Sequence, residues 1–500
     1  MDRIDSPEVR VVEASAGSGK TYCLAVRYLK LLINPSLKLE DIPLNGIAAI
    51  TFSNKAALEM KDRITQFLKM LALDRFSNPK EKEALLSYLS VDEGSARQKA
   101  LKIMDEIIRH YNSFRVQTID SFINAILCGC AFKFGLSSAF RIKDDYREYL
   151  AYSFDRLIDS VNKDNSVKEL FLNFLRQYLY VERKKSWFPK RDILSMLEFL
   201  FHSVNAYGAP LIKYDKDFKD IIAQRGRILS LMLKLKKCMP EGSNRQSWGG
   251  FIDSLNEKAG PSGIDRFFRP FSKEAFPMRK GAALNPDALG LWQEIKDNIS
   301  VLREDEAFSL FNCYIDIFNS TALFFREFSQ EEDIIFLPEL NSRMSGLFSS
   351  EEALITVPEL YYRLAAVFRH FLIDEFQDTS LLQWKNLFPM VEEALSSGGT
   401  LFYVGDKKQA IYRFRGGDAY LMEKIGAGLK HFNLKEEFLS HNYRSQKEIV
   451  EFNNRVFSRE NILNFLGQVT CGDKDGFELE VEDRDEIAGV FKEAKQEYSK

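Results

Sequence analysis

The stretch EASAGSGKTY, residues 13–22, decides how the rest of the chain is read. The apolar run before it, Val9–Glu13, has the length and composition of a buried strand. After it, Thr21–Leu32 carries apolar residues at helical spacing. Between the two lies a loop of small residues: Ala14, Ser15, Ala16, Gly17, Ser18 and Gly19. Gly17 and Gly19 admit backbone angles closed to other residues, so successive N–H groups can turn inward around an anion. The start of the helix adds its partial positive charge. Lys20 can then reach the β- and γ-phosphates of a nucleotide, and the Thr21 hydroxyl can ligate Mg²⁺. The usual form of this motif begins with glycine, and here that place is Ala14. A small residue is enough there, because open backbone angles are needed only at Gly17 and Gly19. The competing reading is a flexible turn that happens to precede a lysine; the strand before and the helix after argue against it.

Further short apolar runs fit strands covered on both faces: Ile47–Phe52, Arg115–Ile119, His370–Ile373, Thr400–Val404 and Lys435–Leu439. Helical patterns follow most of them, as at Ala56–Leu73. This alternation predicts an α/β fold with a doubly wound parallel sheet. Three strands precede residue 120 and three follow residue 369. The stretch between them is mostly helical, as at Tyr146–Phe201 and Phe308–Phe328, and is expected to be an inserted domain. Within it, Met239–Gly290 is rich in Gly, Pro, Ser and Asn and is expected to be loop. Asp74–Lys102 is expected to be a smaller charged helical insertion.

Composition narrows the class. The 45% hydrophobic content is enough for several cores, and 500 residues exceed one ordinary domain. With 69 basic against 72 acidic residues the formal charge is −3, so any polyanion site is a local patch rather than a global field. The cysteines Cys23, Cys128, Cys130, Cys238, Cys313 and Cys471 show no C-x-x-C pair and no zinc spacing. A reduced, cytoplasmic chain is expected. No run approaches about 18 apolar residues, which argues against a membrane span.

Two later segments complete the chemistry. HFLIDEFQDTS, residues 370–380, puts Asp374 just after an apolar strand, where a metal-holding carboxylate belongs, with Glu375 beside it as a general base. A solvated acidic loop is the plain alternative. LFYVGDKKQAIYRFRGGD, residues 401–418, carries Gln409, an amide able to read a γ-phosphate or position water. Tyr412 and Phe414 are flat groups able to stack on bases, with Arg413 and Arg415 beside them. Taken alone, YRFR reads more simply as a strand edge with core aromatics.

Together these segments resemble the superfamily 1A helicases of the UvrD/Rep class. ASAGSGKT is similar to that class's first motif, TFSNKAALEMKDRI (51–64) to motif Ia, and TIDSF (118–122) to motif Ib. DEFQDTSLLQW (374–384), VGDKKQAIYRFRGGD (404–418) and HNYRS (441–445) resemble motifs II, III and IV. The wording is most similar to the RecB/AddA branch of helicase–exonucleases. The resemblance implies a RecA-like P-loop lobe, with ATP and Mg²⁺ as cofactors. It makes Lys20, Glu375, Gln409 and Arg444 catalytic and gives the metal to Thr21 and Asp374. Residues Ala14 to Thr21 would hold the nucleotide, with Tyr443 near the adenine. Phe52, Asn54, Tyr412 and Phe414 would line the single-strand path, and Thr118 and Ser121 would lie near DNA phosphates. The implied partners are single-stranded and duplex DNA and a second subunit of a helicase–nuclease complex.

The resemblance divides the chain into a first lobe part at 1–130, a helical insert at 131–365, a second lobe part at 366–445 and the start of a second lobe at 446–500. It departs from the class in two ways. MDRIDSPEVR contains no Gln to read adenine, and nothing after Ser445 resembles motifs V or VI. The expectation is therefore the N-terminal motor portion of a 3′-to-5′ DNA helicase or translocase within a longer protein. The alternative is a nucleotide- and DNA-binding module with no motor of its own. A small-molecule kinase would leave motifs Ia, III and IV without a purpose. In the insert, RKKSWFPKR (183–191) surrounds Trp187 and Phe188 with basic residues, which is either a solvated face or a DNA grip. FFRPF (267–271) reads as core or loop anchor.

Overall fold

The structure, a computed structural model, describes residues 7–34, 44–182, 189–239, 243, 245–248, 251, 254–255, 260–278, 285–348, 354–411, 416–418, 420–468, 481–491 and 494–498. The chain divides into two compact units. One comprises Met1–Ile142, Asn205–Gly208 and Leu337–Lys500, and the other the residues between, 143–204 and 209–336.

The first unit is built on six parallel strands: β1 (Glu8–Ala14), β2 (Ile47–Thr51), β3 (Val116–Thr118), β4 (His370–Ile373), β5 (Thr400–Gly405) and β6 (Leu434–Leu439). Their order across the sheet is β3-β2-β4-β5-β1-β6. These are the six runs expected from the sequence. β2 and β5 are buried throughout, as continuous apolar runs demand, while charged β6 forms one edge. Helices α1 (Lys20–Leu32), α2 (Asn54–Leu73), α3 (Pro79–Leu89) and α4 (Glu93–Arg109) pack Leu24, Tyr28, Ile64, Leu68 and Ile103 against Val12, Ala49 and Phe402 of the sheet. The charged insertion at 74–102 is thus two helices whose apolar stripes join this core. α5 (Ile119–Gly129) follows β3 directly.

At the entry to β1 the chain buries charge. Glu8 accepts from Arg10 at 2.8 Å and from Arg27 of α1, and Arg10 also meets Glu437 of β6 at 2.6 Å. Burial alone would raise the Glu8 carboxyl; the Arg27 and Arg10 guanidiniums outweigh it and hold the group below its usual range.

The second unit is helical: α6 (Arg147–Ser160), α7 (Asn165–Tyr180), α8 (Lys190–Tyr207), α9 (Phe218–Lys237) and the 46-residue α10 (Pro286–Glu331). Asp305 of α10 is buried and accepts from the Tyr214 hydroxyl at 2.6 Å, the Lys216 ammonium at 2.7 Å and the Gln224 amide. The expectation of loop across 239–290 needs correction. Trp248, Phe251, Leu255, Ile264, Phe267, Phe268, Phe271 and Phe276 are buried together against α9 and α10. Short 3₁₀ turns, Pro261–Phe267 and Arg269–Ser272, suit the Gly and Pro content and still deliver aromatic side chains inward. The phenylalanines of FFRPF are core, and Arg183 to Phe188 lie outside the described residues. Among the described residues no helix is long and apolar enough to cross a membrane.

Candidate functional site

All of the candidate site for which positions are described lies at the carboxyl ends of the strands, where open α/β sheets bind ligands. β1 ends at buried Ala14, and the loop to α1 turns through Gly17 at φ 76° and Gly19 at φ 89°. Ser18 closes the turn, its N–H and hydroxyl both bonding to the Ser15 carbonyl, at 3.2 and 2.7 Å. Gly19 is the N-cap of α1, so Lys20 and Thr21 occupy the helix's first turn. The HNYRS segment clasps this loop from outside. The Tyr443 N–H donates to the Gly17 carbonyl at 2.9 Å, and Asn442 Nδ2 donates to the Ala16 carbonyl at 3.2 Å. Asn442 Oδ1 in turn accepts from the N–H groups of Arg444 and Ser445, each at 2.9 Å. Arg444 itself is exposed beside Gly17.

From β4 and β5 the acidic and amide groups converge on Lys20. Its ammonium donates to Glu375 Oε2 at 2.6 Å and to Gln409 Oε1 at 3.2 Å. Glu375 sits in the left-handed region at φ 48°, a strained backbone for a residue with a Cβ. The Asp374 carboxylate steadies it by accepting the Glu375 N–H at 2.9 Å. Asp374 is buried; desolvation and then the Glu375 charge push its carboxyl up to about 7. Asp378, one turn on, is pushed to about 6 by the same two causes.

These features fit a polyphosphate with a divalent ion. Among the described residues Ser15 Oγ, buried at the loop, has no hydrogen-bond partner, and an inward Cβ at Gly17 would collide with Asn442. A buried carboxyl lifted this far is one that a cation would return to the ionised form. Among the described residues no three His, Cys, Asp or Glu side chains gather to hold a metal unaided, so phosphate oxygens would have to share the coordination. Beside the loop a cavity of about 580 Å³ is lined by Gly19, Tyr22, Cys23, Arg63, Tyr88 and Tyr443. Its volume and aromatic walls suit a nucleobase.

Of the other expected residues, Phe52 and Asn54 lie at the carboxyl end of β2, next to Thr118 at the end of β3, where Thr51 and Thr118 are paired in register. Thr118 is buried and caps α5: its hydroxyl accepts the Ser121 N–H at 3.3 Å and lies 2.8 Å from the exposed Ser121 hydroxyl. Tyr412 and Phe414 lie outside the described residues. Sequence reading passed over Asn442, Gln377, Asp406, Tyr22 and Tyr88. The first three sit inside segments already singled out, and each is a buried polar residue whose partner is far along the chain. No local pattern marks such a pairing.

The sequence model of the UvrD/REP helicase N-terminal domain matches residues 5–248 and 293–429. The chain belongs to this family. The UvrD/REP match thus covers the phosphate loop and the segments of Asp374 and Gln409, and stops short of HNYRS. Among curated relatives, the large "ATP-dependent helicase/nuclease" subunit of Clostridium kluyveri, the one lettered A, is 24% identical over 93% of this chain and 39% of its own length. The corresponding protein of Listeria innocua is 24% identical over 89% of this chain and 38% of its length. The "RecBCD enzyme subunit RecB" of Buchnera aphidicola is 25% identical over 90% and 37%. The chain therefore spans about two fifths of the length of these relatives.

Proposed function

We propose that this chain is the N-terminal motor portion of an ATP-dependent, 3′-to-5′ DNA helicase or translocase within a recombination-repair helicase–exonuclease. The observation that carries this reading is the convergence of Lys20, Glu375 and Gln409 at the mouth of the phosphate loop. Family membership and the relatives' names give it direction. In this reading Ala14 to Thr21 cradle the phosphates of ATP, and Tyr443 stacks by the adenine across the cavity from Tyr22. Thr21 and Asp374 would hold Mg²⁺, which supplies neutralising charge to the phosphates when bound.

The Lys20 ammonium moves from Glu375 to a phosphate oxygen. Glu375, released from that ion pair, accepts a proton from the attacking water. Arg444 adds a permanent positive charge beside Gly17. Single-stranded DNA follows Phe52, Asn54, Thr118 and Ser121, joined by Tyr412 and Phe414, whose flat faces stack on any base. We assign 1–130 and 366–445 to the ATP-binding lobe, 131–365 to the inserted domain and 446–500 to the start of a second lobe. Another subunit of a helicase–nuclease complex is the protein partner, and the cytoplasm the compartment.

The test is single-strand-stimulated ATP hydrolysis by the full-length protein. Lys20→Ala and Glu375→Gln should each abolish it, with Glu375→Gln still binding nucleotide. Turnover that survives in both variants would remove the assignment.

A further inference from the structure

Five side chains from the phosphate loop and the ends of β4 and β5 close a ring of hydrogen bonds. Lys20 donates to Glu375 and Gln409, as described. Gln377 Nε2 donates to the same Glu375 oxygen at 2.7 Å, and Gln377 Oε1 accepts the Asp406 N–H at 2.9 Å. Asp406 Oδ2 accepts from Gln409 Nε2 at 2.7 Å, which completes the ring. Gln377 and Asp406 are each only 1% exposed. Gly405 makes room for this arrangement: a Cβ there would lie 2.7 Å from Gln377 Oε1.

The chemistry of the partners fixes which way both amides face. A carboxylate only accepts and an ammonium or backbone N–H only donates. Gln409 must therefore turn its NH₂ to Asp406 and its carbonyl oxygen to Lys20. Gln377 must turn its NH₂ to Glu375 and its carbonyl oxygen to β5. Asp406 is itself held in place, because its Oδ1 accepts the Lys408 N–H at 3.1 Å and meets the Lys408 ammonium at 3.0 Å.

We infer that Gln377 and Asp406 are positioning residues for hydrolysis, and that Asp406 makes Gln409 present an acceptor rather than a donor to the reacting phosphate. This rests on the proposed ATP hydrolysis. An acceptor cannot bond a phosphate oxygen, but it can take a proton of the attacking water in a hydrogen bond. Gln409 and Glu375 then grip one water from two sides, and Gln377 and Asp406 lock both grips to the sheet. The ring also links the metal-side segment, 374–378, to the segment 404–409 that leads toward Tyr412 and Phe414, so a shift in either must pass through Gln377 and Asp406.

The deciding experiment exchanges donor and acceptor. In Asp406→Asn, Lys408 keeps the Asn oxygen, so the Asn NH₂ faces Gln409 and forces that amide to flip. In Gln409→Glu, two carboxylates face each other. The double variant D406N/Q409E restores one hydrogen bond in reverse, keeps the total charge and still offers an oxygen to Lys20. On the full-length protein, each single variant should lower DNA-stimulated kcat at least tenfold with nucleotide Kd changed less than threefold. The double should return to within about threefold of wild type. A merely structural role would move Kd or Tm along with kcat and give no recovery.

If Gln409 needs an N–H toward the phosphate, the double variant stays as slow as Gln409→Glu and the inference falls. Single variants with unchanged kcat overturn it equally. Lys20→Ala, run alongside, separates the two failures. A wild type no faster than Lys20→Ala overturns the hydrolysis reading, and this inference with it. An active wild type with an unrescued double overturns the inference alone.

Discussion

Replacing either glycine of the phosphate loop by alanine imposes the same backbone strain, yet the two should differ sharply in effect. At φ 76° and 89°, a residue with a Cβ costs about 1–2 kcal/mol in the left-handed region. For Gly19→Ala little is added, since the nearest atom to the new methyl is Tyr22 Cβ at 3.8 Å, an ordinary contact. For Gly17→Ala the methyl would lie 2.8 Å from Asn442 Oδ1 and 2.9 Å from Arg444 Cβ. Asn442 cannot swing aside cheaply, because that oxygen caps two N–H groups at 2.9 Å and its amide holds the Ala16 carbonyl. Losing two such bonds adds about 1–3 kcal/mol. The totals are about 1–2 kcal/mol for Gly19→Ala and about 2–5 kcal/mol for Gly17→Ala. The loop relieves this by leaving the shape that gathers its N–H groups, so the cost appears as lost nucleotide affinity. At about 1.4 kcal/mol per decade, Gly17→Ala should bind at least tenfold more weakly than Gly19→Ala. Calorimetric titration with ATP and ADP measures this without requiring turnover. Equal affinities, or a weaker Gly19→Ala, would refute the packing argument, since strain alone cannot separate the two sites.

Two further predictions concern stability. Burial, then the charges of Arg27 and Arg369, lower His370 to about 4, while its Nδ1 sits 3.0 Å from the Thr400 hydroxyl. A histidine lowered in the fold stabilises fully above its unfolded value near 6.5 and loses that contribution as pH falls from there toward 4. Denaturation of wild type should therefore steepen over this window by up to about 1.4 kcal/mol per pH unit relative to His370→Asn; identical pH slopes would contradict the assignment. In the helical unit, Asp305→Ala leaves the Tyr214, Lys216 and Gln224 donors without their acceptor and should destabilise it by about 2–4 kcal/mol, read as a lowered thermal midpoint. A midpoint within error of wild type would show that water replaces the carboxylate there.

The strands were legible because each is an apolar run of the right length, and the site because Lys20, Asp374, Glu375 and Gln409 carry their chemistry in local motifs. What stayed hidden had one of two causes. Asn442, Gln377 and Asp406 act on partners far along the chain, so their roles exist only once the sheet has gathered its strands. The aromatic core around Trp248 and Phe271 was masked by turn-forming neighbours, since Gly, Pro and Asn report backbone geometry and say little about burial. Thr118 shows a third pattern: a residue expected near DNA phosphates spends its hydroxyl on the first turn of α5.

The strand order has a consequence for how this protein is born. β1 and β2 emerge first from the ribosome, but in the finished sheet they are not neighbours; β4 and β5 stand between them. Until residue 405 has been made, β1 has neither of its partners, and β2 gains only β3 and β4. At 5–20 residues per second, the roughly 350 residues from β2 to β5 take about 20–70 s to synthesise. Through that interval the chain carries unpaired apolar strand edges and an open phosphate loop. Synthesis of this lobe thus includes a long period of exposure that favours chaperone capture over spontaneous closure.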